Sequence, residues 1–218
     1  MQGKEVETSK ISARRRNARK VASADYEKRR AMILSAAAEV FKDLGFGAAT
    51  VDDVAQRADM DRASIYYYFN GKRDLFREMV GGATAENVEM AERIAGSSEA
   101  PPAKLRALIC DLFDSYERHY PYLYVYVQED MNRLLQDRSA WSKKIMALNR
   151  RFDAAVVHIV QEGLDNGSFA AVGEAKIIAA GVVGMCNWSH RWFEPSEHRR
   201  ASDVSAVFAD MVLGGLAR

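Results

Sequence analysis

The chain has 218 residues, 48% hydrophobic and 28% charged, with 31 Lys and Arg against 30 Asp and Glu. Such a composition is ordinary for a globular protein and excludes a disordered or collagen-like chain. The longest apolar run, Ile177 to Cys186, is too short to span a bilayer, and Cys110 and Cys186 lie far apart without metal spacing, so a reducing cytoplasm is the expected compartment.

The near-zero net charge hides an asymmetry. Residues 1–80 carry 16 Lys and Arg against 12 Asp and Glu, and the remainder 15 against 18. A basic front on a mildly acidic back fits a nucleic-acid contact at the front. Residues 1–24 are polar and basic, with Arg14, Arg15, Arg16, Arg19 and Lys20 clustered. Two readings stand for them. One is a solvated, flexible tail; the other is an arm that follows phosphates or enters a minor groove. A first helix is predicted from about Asp25 to Leu44, with Ile33, Ala36, Ala37, Val40, Phe41 and Leu44 as its apolar stripe and Gly45 as its stop.

Residues 45–72 predict two short helices joined by a tight turn. Thr50 and Asp53 form an acidic capping box ahead of Val51, Val54, Ala55 and Ala58, which share one face. The helix stops at Ala58-Asp59, where Asp tolerates a left-handed conformation. Asp61 then caps a second helix, Arg62 to about Phe69, closed by Asn70-Gly71. Ile65 and Phe69 suit a core, but Tyr66, Tyr67 and Tyr68 cannot all be buried, because neighbours on a helix point about 100° apart. The small or basic first turn, Arg62-Ala63-Ser64, lets a helix approach a groove floor closely. A plain helical hairpin inside a larger bundle is the competing reading.

Residues 29–76 resemble the DNA-binding domain of the TetR family of transcriptional regulators. The likeness rests on Ile33, Ala36, Ala37 and Phe41, on Gly45-Phe46, on Thr50-Val51 and Val54-Ala55, and on the run from Ser64 to Phe69. Lys72, Leu75 and Phe76 complete it. The family usually has Gly in the turn where this chain has Asp59-Met60. The resemblance implies Thr50, Tyr66, Tyr67 and Lys72 on DNA phosphates, and Arg62, Ala63 and Ser64 at the groove floor.

Further helices are expected from Arg73 to Ile94, Ala103 to His119, Ser139 to Asp165, Glu174 to Phe193 and Ser202 to Leu216. The run Tyr120 to Val127 alternates like a strand, yet helix is expected, because no partner strand exists to pair its edges. The last helix offers Val204, Val207, Phe208, Met211 and Val212 as an apolar face. The one before it carries Gly181 and Gly184, which suit close approach of another helix. The resemblance implies that these two helices pair with those of a second chain in a homodimer.

Trp188 and Trp192 would share one face of the 174–193 helix, with Asn187 and Arg191 as a polar pair beside it. Aromatic faces flanked by Arg suit adenine and phosphate. Filling a dimer core is the alternative for the tryptophans. This ending is similar to that of TetR-type regulators that sense acyl-CoA thioesters. Tyr116, Tyr120 and Tyr124 could line an apolar cavity, or simply be core. The candidate effector residues are therefore Tyr116, Tyr120, Tyr124, Asn187, Trp188, Arg191 and Trp192. His190, Glu194 and His198 have metal-like spacing, but Pro195 interrupts it, so no metal site is expected and no cofactor is implied.

The expectation is an all-α protein. A basic arm (1–24) precedes a helix-turn-helix domain (25–72) and a larger ligand-binding and dimerisation domain (73–218). Its function would be that of a cytoplasmic repressor, released from operator DNA by a small apolar effector such as an acyl-CoA. The alternatives are a sensor of an unrelated apolar drug or aromatic metabolite, and a CoA-binding helical enzyme.

Overall fold

A computed structural model describes residues 3–128, 139–196 and 198–217, and the side chains of 24–126, 139–189, 191–196 and 198–217. Among the described residues the chain forms nine α-helices and no strand. They are α1 (Gly3–Ala48), α2 (Val51–Arg57), α3 (Arg62–Tyr68), α4 (Lys72–Ala95), α5 (Pro101–Arg118), α6 (Tyr122–Gln128), α7 (Ala140–Asp165), α8 (Ala175–Trp188) and α9 (Ala201–Leu216). None is long and apolar enough to cross a membrane. The chain divides into two compact units between Leu75 and Phe76.

In the first unit, Ile33, Ala37, Val40, Phe41, Val54, Ala55, Ile65 and Phe69 are buried. Leu44, expected on the same stripe, is 52% exposed. The helix turns away at the very next residue, where Gly45 adopts φ 75° and ψ 148°. α1 also starts earlier than its expected cap at Asp25, its backbone being helical from Gly3 onward. Arg, Lys, Glu and Ala are good helix formers, and no proline interrupts residues 3–25.

The second unit is built on α5, which packs against α7 and along α9. Its core includes Leu105, Leu108, Ile109, Phe113, Val156, Ile159, Val160, Phe169 and Phe193. The strand-like 120–127 run is helical from Tyr122 onward, as α6. Lys104 is buried and donates from Nζ to Glu162 Oε2 at 2.8 Å and to the Ala95 carbonyl at 3.1 Å, tying α5 to α7 and to the end of α4. The Phe169 ring lies directly on Gly163, leaving no room for a Cβ there.

Two expected faces are only partly buried. On α9, Val204 is buried, but Val207 and Met211 are 57% and 60% exposed. On α8, Ile177, Gly181, Gly184 and Trp188 fall on one face and are exposed. Among the described residues, nothing beyond the neighbouring stretch of helix comes within 4 Å of a Cβ placed on Gly181, Gly184 or Gly214, so packing within the described chain gives no reason for these glycines.

Candidate functional site

The first candidate surface is α2, its turn and α3. Thr50 caps α2 as expected: Asp53 N–H donates to Thr50 Oγ1 at 3.2 Å, and Thr50 N–H donates to Asp53 Oδ2 at 2.8 Å. The Thr50 hydroxyl and backbone hold the Asp53 carboxyl below its ordinary pKa. Asp59 takes the left-handed turn conformation, at φ 52°. Asp61 caps α3, accepting from the Ser64 N–H at 2.7 Å and from the Ser64 hydroxyl at 3.1 Å. These bonds lower the Asp61 pKa, the backbone one most. Arg57 bonds Glu39 and Asp43 on α1, at 2.8 and 2.9 Å, and so links α2 to α1.

Ile65 and Phe69 turn inward, and α3 presents Arg62, Ala63, Tyr66 and Tyr67 outward. Tyr67 is 73% exposed. Its ring meets Tyr26 and Tyr68 edge-on, with centroids at 6.3 and 4.9 Å. Three rings therefore hold one exposed phenol in place. Tyr26 was not a candidate, since nothing in its local sequence links residue 26 to residue 67. The Arg62 guanidinium is held by Asp52 Oδ2 at 2.9 Å and lies 5.5 Å from the Tyr66 ring centre. Asp52, in the first turn of α2, is a second unforeseen member of this surface.

Lys72 is placed differently from expectation. Its ammonium donates to the carbonyls of Phe46, Gly47 and Ala49 at 2.7, 3.0 and 2.7 Å, and sits 4.9 Å from the Phe46 ring centre. It thus closes the carbonyl end of α1, a favourable place for a cation. An ammonium has three hydrogens. All three are used here, so a phosphate contact would require the release of a carbonyl.

The second candidate is a cavity of about 260 Å³ in the second unit. Five helices supply it, among them α4 with Thr84 and Asn87, α5 with Phe113 and Tyr116, α7 with Asn149 and Asp153, and α8 with Val183 and Asn187. Leu123 and Tyr126 of α6 also line it. The Asn149 amide donates to the Tyr126 hydroxyl at 3.1 Å, and the Ser115 hydroxyl donates to Asn87 Oδ1 at 2.5 Å. Burial raises the pKa of both Tyr116 and Tyr126, and pushes the Cys186 thiol, also in the wall, up to about 12. At Asp153, Val183 and Asn187 the cavity adjoins a more open depression of about 830 Å³ between α7 and α8.

Of the seven expected effector residues, Tyr116 and Asn187 line the cavity. Tyr120 and Tyr124 do not; their rings meet edge-on with centroids 6.0 Å apart, and the Tyr120 hydroxyl donates to Glu194 at 3.2 Å. Trp188 and Trp192 do not share a helical face, because α8 ends at Trp188 and Ser189–Arg191 tighten into a 3-10 turn. The Ser189 hydroxyl donates back to the Cys186 carbonyl, and Phe193 is drawn fully into the core beside Phe113 and Tyr116. Trp192 instead tilts against Phe208, and the Arg191 guanidinium stacks 4.8 Å from the Trp188 ring centre on the surface. The His190 side chain lies outside the described residues. Thr84, Asn87, Asn149 and Asp153 were missed. Their signal was polar residues at i, i+3 and i, i+4 spacing on helices read only for their apolar stripes.

Comparison with known proteins bears on both surfaces. The model of bacterial regulatory proteins of the tetR family matches residues 33–79, and that of the tetracyclin repressor-like C-terminal domain matches residues 98–216. The HTH-type transcriptional repressor KstR2 of Mycobacterium tuberculosis is 25% identical over 190 residues, covering 87% of this chain and 94% of its own. The repressor NicS of Pseudomonas putida is 25% identical over 195 residues, covering 85% and 91%. The solved structure of the M. tuberculosis ketosteroid transcriptional regulator KstR2 superposes with a TM-score of 0.80 at 25% identity, over 87% of this chain and 95% of its own. AibR, solved with isovaleryl coenzyme A and operator DNA, shares the fold at a TM-score of 0.66 and 16% identity, over 84% and 97%.

Proposed function

The chain belongs to the TetR family of bacterial transcriptional regulators, as a DNA-binding protein that answers to a small ligand, and on that footing we propose how its two surfaces divide the work. The exposed face of α3 enters the major groove. Arg62, Ala63 and Ser64 face base edges, and Thr50, Tyr66 and Tyr67 face phosphates; phosphate contacts position a helix and base contacts specify sequence. Lys72 supports the reading indirectly, by fixing the end of α1 against which the pair of short helices sits. The protein acts in the cytoplasm as a homodimer through α8 and α9. The support is their exposed apolar faces, with glycines that nothing in the described chain fills.

The effector cavity carries the rest of the reading. α4 runs without a break from Lys72, in the first unit, to Thr84 and Asn87 in the cavity wall. A ligand that prefers one position of α4 thereby changes which DNA-binding geometry is populated. The effector we propose is an acyl-CoA, its acyl part in the cavity and its nucleotide outside on the Arg191–Trp188 stack. Asn187, which lines the cavity, directly precedes that stack in the chain. KstR2 is named a ketosteroid regulator, and AibR was solved with a CoA thioester. The domain division proposed with it is a DNA-binding part through residue 72 and a ligand-binding and dimerisation part from 73. Family membership favours this regulator over a CoA-binding enzyme.

The test is operator release. A duplex selected by the wild-type protein from a randomised library is titrated with acyl-CoAs, free CoA and free acids, and anisotropy reads the release. Acyl-CoAs release the DNA, while either half alone does so poorly, because each supplies only part of the differential binding. Arg191→Ala needs more acyl-CoA. If no acyl-CoA displaces the duplex, a sensor of an unrelated drug or aromatic metabolite replaces this reading.

A further inference from the structure

The chemistry of the cavity wall names a ligand class more narrowly than the effector reading on which it rests. Thr84 is 7% exposed, and its Oγ1 is buried with no hydrogen-bond partner among the described residues. A buried hydroxyl without a partner costs free energy until something bonds to it. It lines the cavity one turn from Asn87, whose oxygen is taken by Ser115. The same wall carries Asn149 and Asp153, one turn apart on α7, and Asn187 on α8. No Lys, Arg or His is among the described residues lining this cavity, and Asp153 is the only carboxylate. Partial burial raises the Asp153 pKa, and no ion-pair partner accompanies it among the described residues.

Its described residues give this wall several hydrogen-bonding groups, one carboxylate and no cation, a set that favours a neutral guest and disfavours an anion. We propose that the cavity takes an uncharged apolar body bearing hydroxyl, keto or amide groups, that Thr84 is the polar anchor such a ligand completes, and that Asp153 at the rim bars free carboxylates. A thioester is neutral at its carbonyl, whereas the corresponding free acid carries its charge to Asp153. Any phosphates of the effector stay outside this wall.

The test uses the full chain and three probes of one chain length, 1-octanol, octanamide and octanoate, titrated calorimetrically at pH 8. The alcohol and the amide bind, and octanoate binds at least about fivefold more weakly. Asp153→Asn brings octanoate to within about twofold of the amide. Thr84→Val keeps the side-chain shape. It raises the Tm of the ligand-free protein, by removing a partnerless hydroxyl, while weakening alcohol and amide binding about fivefold. That opposite movement is not expected of a residue that only packs. Equal binding of octanoate and octanamide by wild type would overturn the proposal. So would an unchanged ratio in Asp153→Asn, unchanged affinity in Thr84→Val, or no binding of any probe. Operator release by acyl-CoA alongside such a failure would leave the regulator reading standing and remove only this account of the cavity.

Discussion

Lys72→Met separates a scaffold role from a DNA contact. The substitution keeps most of the apolar stem and removes the ammonium that bonds the carbonyls of Phe46, Gly47 and Ala49. A hydrogen bond to a charged group contributes about 1.5–3 kcal/mol when buried. The Gly47 bond is exposed, and water replaces it at little cost; the other two are half-buried and are only partly rehydrated. A loss of about 2 kcal/mol follows. With a urea dependence of about 2 kcal/mol per molar, the midpoint falls by about 1 M. All three tryptophans, Trp141, Trp188 and Trp192, belong to the second unit. Far-UV circular dichroism therefore registers the destabilised first unit, while tryptophan fluorescence reports the second. A lost phosphate contact would instead lower the salt dependence of nonspecific DNA binding by about 0.9 in log–log slope. The scaffold account expects the dichroism midpoint to drop with that slope unchanged. An unchanged midpoint with a slope smaller by about one refutes it, and returns Lys72 to the phosphates.

Arg62→Ala changes the sequence selected from a randomised duplex library, and Asp52→Asn broadens it, because Asp52 fixes the Arg62 fork; identical selected sequences would remove Arg62 from the groove floor. Gly163→Ala places a Cβ in the Phe169 ring and costs about 1–3 kcal/mol, lowering Tm by several degrees in a thermal melt. Asp53 and Asp61 have folded-state pKa values below their ordinary ones, so their caps stabilise fully above the unfolded value and lose this as pH falls below about 4. Asp53→Asn and Asp61→Asn each flatten that acid loss, and an acid unfolding profile identical to wild type would contradict the capping role.

What the sequence determined by itself is what neighbours in the chain decide. Thr50 with Asp53, and Asp61 with Ser64, are contacts across three residues, so their caps follow from local backbone geometry. The same holds for the left-handed Asp59 and for the stop after Asp165, where Gly167 has φ 77°. Helical periodicity likewise exposed the buried faces of α3 and α5, whereas at 120–127, where the pattern alternates, the lack of a partner strand decided for helix. Periodicity marks an apolar face without saying what covers it. Leu44 belongs to the apolar stripe of α1, and Val207 and Met211 to the apolar face of α9, and each is exposed in the described chain. Only the tertiary structure decided where α8 stops, because burying Phe193 against Phe113 and Tyr116, some eighty residues earlier, outweighs five more residues of α-helix. It alone brought Thr84, Asn87, Asn149, Asp153 and Asn187 together from three helices around one space. It also turned Lys72 toward the carbonyls at the end of α1, more than twenty residues before it in the chain. A cation and the carbonyls at a helix end find each other through the fold, and no spacing in the sequence records that.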